Sequence, residues 1–150
     1  MKYLVSMIAG LFITTITAYA APEDFIGTFK GAEKSTLTNC GAYNGITTGS
    51  WSVKHSDLKG NQFVGAGSNK DGDFTVTGEA SDTAASGIVK GVNKYGLAWK
   101  AEFKATLEGN KYKSTTMGSV SSGCKFTSEI EATKNWVLLC LTNPSSETVR

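Results

Sequence analysis

The sequence predicts an all-β fold: a single antiparallel up-and-down meander that closes into a small barrel of about eight strands. Three observations predict it. From Phe25 to Ala132 apolar and polar residues alternate with a period of two, as in strands with one buried and one wet face. Glycine, asparagine and aspartate collect where the alternation breaks, and these residues tolerate the positive φ of tight hairpin turns. No window of comparable length carries a helical period.

The chain of 150 residues opens with a segment of another kind. Met1-Lys2 is a short positive start, Leu4 to Ile16 is apolar, and Ala18-Tyr19-Ala20 is an A-x-A cleavage site. That layout predicts a secretory signal peptide over residues 1–20, removed on export to a periplasmic or secreted location. The apolar run is shorter than the roughly 18 residues of a spanning helix; an uncleaved anchor is the alternative. Loss of Lys2 lowers the formal net charge from +2 to +1. This balance excludes electrostatic nucleic-acid binding, which needs a basic patch. The remaining 21–134 make one domain, and a single histidine excludes a His-rich metal site.

Each strand follows from its own pattern. Phe25, Gly27, Phe29 and Gly31 share one face and predict a first strand over 24–31. Trp51, Val53 and His55 predict the second over 48–55, and Phe63, Gly65 and Gly67 the third over 61–68. Phe74, Val76 and Gly78 mark the fourth over 72–80, and Gly87, Val89 and Gly91 the fifth over 85–92. The clearest alternation, Leu97 to Leu107, predicts the sixth over 96–107. The last two are expected over 111–120 and 124–132, the latter from Phe126, Ser128, Ile130 and Ala132. Regularly spaced hairpins of this number close most simply into a barrel, which removes exposed edges.

Two segments fall outside the pattern. Ala32 to Thr47 has no clear periodicity and is expected to be a long loop, a lid or plug over one barrel mouth. Residues 135–150 form an atypical tail: the apolar run Trp136 to Leu141 fits either a buried strand or a short docked helix, and an extension would look the same.

The apolar face mixes large aromatics with glycine. Glycine permits the coiling a small barrel requires, and it also leaves room for an interior ligand. An eight-stranded barrel can do either, filled by its own side chains or holding one small ligand.

Cys40, Cys124 and Cys140 all survive signal removal, and export permits disulfides. In a closed meander the first and last strands are neighbours, which predicts Cys40–Cys124, with Cys140 a free thiol; Cys124–Cys140 is the competing pair.

Chemistry is sparse. His55-Ser56-Asp57 places triad residue types side by side, whereas a working triad is assembled from separate segments; His55 is expected at a barrel rim. Asn69 to Asp73 resembles a calcium loop but lacks its distant Glu, so it is expected to be a hairpin turn. The chain is expected to be non-catalytic, with no metal and no cofactor.

Three classes of function remain. A small-ligand carrier would bind an apolar or amphipathic molecule against Trp51, His55, Phe63, Phe74, Trp99, Phe103 and Tyr112. Gly27-Thr28-Phe29 resembles the first-strand Gly-x-Trp of lipocalins and the avidin group, with Phe in place of Trp. The resemblance implies an up-and-down barrel with an interior site and carries over no ligand. A periplasmic protein-interaction module, of inhibitor or adhesin type, would act through loop residues such as Tyr43, Ile46 and Tyr95. An outer-membrane barrel would turn the apolar face to lipid; such strands need about 9–11 residues and aromatic girdles. Most expected strands are shorter, glycine interrupts the face and the chain ends in Arg150.

Overall fold

The computed structural model describes residues 21–135. The expectations for the signal segment 1–20, for Cys140 and for the tail beyond Asn135 lie outside those residues. Eight antiparallel strands follow one another around a closed barrel, with the last paired to the first. They are β1 (Gly27–Thr38), β2 (Gly45–Lys59), β3 (Gln62–Asn69) and β4 (Gly72–Ser81), then β5 (Ala84–Val92), β6 (Ala98–Glu108), β7 (Lys111–Val120) and β8 (Lys125–Asn135).

The first departure from the sequence pattern is at the start. Residues expected to open the first strand, Asp24 and Phe25, instead belong to a 3-10 turn, Pro22–Phe25. Its amides from Asp24 and Ile26 bond back to the carbonyls of Ala21 and Glu23. The expected long loop of 32–47 is overturned as well. β1 continues to Thr38 and β2 begins at Gly45, paired in register from Gly27↔His55 to Leu37↔Gly45. Only residues 39–44 connect them. The strands were hidden because their inward positions, Glu33, Ser35, Thr47 and Gly49, are polar or glycine, so alternation shows no apolar contrast.

The inward face is the core, and its central device is a pairing of rings with glycines. Across the ladders Trp51 lies opposite Gly31, Phe63 opposite Gly78, Phe74 opposite Gly67, Trp99 opposite Gly91, Phe103 opposite Gly87 and Phe126 opposite Gly118. Each ring therefore has a neighbour with no side chain to displace it, the cross-strand arrangement that shields glycine in curved sheets. Gly78 shows how tight the fit is. A Cβ there would stand 2.6 Å from Phe63 Cζ and 2.9 Å from Phe103 Cζ.

The outward face is charged. Lys100, Glu102 and Lys104 on β6 and Glu129 and Glu131 on β8 are all exposed. The strands run from 8 to 15 residues, β1 and β2 being well longer than expected, so length gives no argument against a lipid-spanning barrel. The charged exterior does, because lipid-facing charge near the bilayer midplane costs about 2–4 kcal/mol for each Lys or Arg.

Candidate functional site

The two ends of the barrel differ. At the end holding the β1 N-terminus, Phe25, Phe29, Phe63, Leu107 and Ala80 are completely or almost completely buried and fill the interior. Phe25 comes from the 3-10 turn and stoppers this end. Two bonds hold the stopper: Lys134 Nζ donates to the Asp24 carbonyl at 2.6 Å, and His55 Nδ1 lies 2.9 Å from the Phe25 carbonyl. The expected rim position of His55 is therefore corrected. β2 runs on to Lys59, and His55 sits deep in the wall, 2% exposed. Burial drives its pKa down to about 4, against a smaller upward pull from the Phe25 carbonyl. Neighbouring strand residues face opposite ways, so Ser56 points away from His55.

Towards the other end the interior opens into a cavity of about 650 Å³. Its floor is aromatic. Trp51 and Tyr112 reach across from β2 and β7 and stack with centroids 5.6 Å apart and planes 15° from parallel. Burial pushes the Tyr112 phenol well above its usual pKa, partly offset by a hydrogen bond with Ser114. Phe74 stacks on Trp51 at 6.2 Å and meets Trp99 at 6.1 Å.

The walls are unlike. Phe74, Val76, Val89, Trp99 and Phe103, on β4 to β6, make one side apolar. Glu33, Ser35, Ser114, Thr116 and Ser128, on β1, β7 and β8, bring buried polar groups to the other, beside the apolar Leu37, Phe126 and Ile130. Their hydrogen bonds are specific. Ser35 Oγ lies 3.0 Å from Glu33 Oε1 and 2.7 Å from Ser128 Oγ, while Asn69 Nδ2 donates to Glu33 Oε2 at 3.0 Å. Asn69 on β3 can reach Glu33 on β1 because the β2 residue opposite Glu33 is Gly49, with no side chain in the way. Asn69 also fixes its own turn, Oδ1 accepting from the amides of Asp71 and Gly72. The segment Asn69 to Asp73 is thus a hairpin turn.

The mouth is tied down by the Cys40–Cys124 disulfide, which joins the β1–β2 and β7–β8 connections across 84 residues of sequence. On the facing rim Lys94 bridges to Asp71 through its ammonium at 3.7 Å and its amide at 2.6 Å.

Of the residues expected to line a ligand site, Trp51, His55, Phe74, Trp99, Phe103 and Tyr112 border the cavity. Phe63 does not; it lies in the filled end, against His55 at 4.5 Å. The polar wall was missed, apart from Ser128, already placed on the apolar face. Continuing the parity of Phe29 through Gly31 to Glu33 and Ser35 was the signal that could have found it.

Fold and site define a closed antiparallel barrel with a one-ended interior cavity, half aromatic and half polar. No protein-family model matches the chain, and no curated protein matches it.

Proposed function

We propose that the mature chain is an exported, soluble, non-catalytic carrier that holds a small amphipathic ligand inside the barrel. One observation carries the proposal: a cavity of about 650 Å³, open at the disulfide-braced mouth and stoppered by Phe25 below. Ligand sites typically occupy roughly 300–1,000 Å³ and combine apolar walls with a few placed polar groups. The charged outer face supports a solvent-exposed barrel. The likeness to lipocalins and the avidin group enters only as a shared plan, a closed barrel with an interior site.

Export is supported by the layout of residues 1–20 and by the Cys40–Cys124 bond, since such bonds persist in oxidising compartments. The Ala21 backbone nitrogen lies 2.8 Å from Asp24 Oδ2. Cleavage after Ala20 would set the new terminal ammonium against that carboxylate and help seat the stopper.

Titration with a neutral, polarity-sensitive dye such as N-phenyl-1-naphthylamine tests the carrier. The expected result is saturable one-to-one binding with quenching of tryptophan fluorescence, lost when Val89→Trp fills the cavity in a folded variant. Absence of saturable binding would refute it.

A second role has its own observation. Tyr43, Ile46 and Tyr95 are 72%, 65% and 67% exposed on the loops and strand end at the mouth. They would suit a protein partner docking there, as an inhibitor or adhesin does. Ile46→Ser, at an exposed residue that does not border the cavity, would weaken such docking and leave dye binding intact.

A further inference from the structure

We infer that the ligand carries a positive charge: a protonated amine or similar ammonium group bound by Glu33, with an apolar body laid along the aromatic wall. The inference rests on the carrier role and adds its ligand chemistry.

Glu33 is the acidic side chain that borders the cavity from within the barrel wall, only 8% exposed. Each of its oxygens accepts one hydrogen bond, from Ser35 and from Asn69. A carboxylate offers about four acceptor sites, so acceptor capacity is left facing the cavity. Among the described residues no Lys, Arg or His nitrogen comes within 4.0 Å of it. Lys70 is nearby, its stem lying over Gly49, where a Cβ would stand 2.8 Å from Lys70 Cδ. Its ammonium is nevertheless outside that distance.

A carboxylate that borders the cavity with no counter-charge in salt-bridge reach attracts a cation arriving there, and more strongly than it would in bulk water. The surroundings suit such a cation. The next inward residue after Gly49 on β2 is Trp51, whose register partner on β3 is Asn69, the donor to Glu33. Indole and phenol faces attract ammonium groups through their quadrupoles, and Trp51 and Tyr112 supply both at the floor. The hydroxyls of Ser35 and Ser128 can accept further N–H bonds. An anionic headgroup would meet Glu33 with like charge, since the two lysines that border the cavity, Lys70 and Lys94, stand in the turns at its mouth and Lys94 is paired with Asp71.

Chain-matched probes test the inference: decylammonium, decanol and decanoate, each competing with the neutral dye below micellar concentration. Decylammonium is expected to bind about tenfold or more tightly than decanol, as a hydrogen-bonded charge pair implies, with decanoate weakest. Glu33→Gln should remove the preference for decylammonium over decanol. Equal affinities, or an unchanged preference in Glu33→Gln, would overturn the cationic assignment while the carrier role stands. No displacement by any probe, with no dye binding, would overturn both. If Glu33→Gln does not fold, the order of the three probes on the natural protein decides the matter.

Discussion

His55 Nδ1 meets the backbone carbonyl of Phe25 at 2.9 Å, and this bond joins the barrel wall to the stopper beneath it. A carbonyl only accepts, so Nδ1 carries the proton in the neutral ring. With its pKa drawn down to about 4 by burial, the imidazole stays neutral through the physiological range. Phe29, Phe63 and Tyr112 surround it, with ring centroids 5.4, 4.5 and 6.3 Å away.

Acid should therefore loosen the filled end. The folded pKa lies below the unfolded value of 6.5, so between these two the unfolded chain binds more protons. The stability His55 contributes is complete above about pH 6.5 and is lost as pH falls to about 4. The loss from pH 7 to 4.5 should be about 2 kcal/mol. Urea unfolding across that range measures it, and His55→Asn, which keeps a donor but does not titrate, should show a flatter profile.

Removing the stopper should be costly in its own right. Phe25 is 0% exposed, and Phe25→Ala should destabilise the barrel by about 3–5 kcal/mol through lost burial and the space left behind. Chemical denaturation gives the number. Dye binding at the opposite mouth should survive where the variant remains folded.

The ring-and-glycine pairing makes a sharper prediction at Gly78. A methyl there has two phenyl rings within 3 Å, so Gly78→Ala should lower stability by about 1–3 kcal/mol. Thr77→Ala, on the outward face one residue away, should stay within about 0.5 kcal/mol. Their unfolding midpoints, measured side by side, separate the effect of the rings from that of the strand.

Reduction should weaken the mouth more than it alters the barrel. In the chain-entropy view, a bond closing a loop of this length contributes about 3–5 kcal/mol. A melting curve with and without reductant should show a lower Tm. The β1–β8 ladder, paired from Thr28 to Thr38 independently of the sulfurs, should keep the far-ultraviolet circular dichroism unchanged below the transition.

Legibility in the sequence tracked apolar contrast. β3 to β6 and β8 were readable to within a few residues because Phe, Val, Trp, Leu or Ile alternates there with charged or hydroxyl residues, whereas β7, with Tyr112, Ser114, Thr116 and Gly118 inward, was bounded by the glycine turns on either side. The second half of β1 and the start of β2 were not, because Glu33, Ser35, Thr47 and Gly49 face inward without being apolar. Those residues include the carboxylate side of the cavity, so the same feature hid the strands and half of the site. His55 was misplaced for a related reason: β2 was expected to end there, and nothing apolar follows until Leu58. The aromatic half was open to view, since large rings on an inward face announce themselves, although only the register separates Phe63 in the filled end from Phe103 at the cavity.

The most direct test of the carrier is native mass spectrometry of the protein recovered, without detergent, from the compartment to which it is exported. The account predicts an added mass of small-molecule size, in a one-to-one complex, that disappears on denaturation. A bare protein mass under conditions that preserve the folded barrel would contradict it.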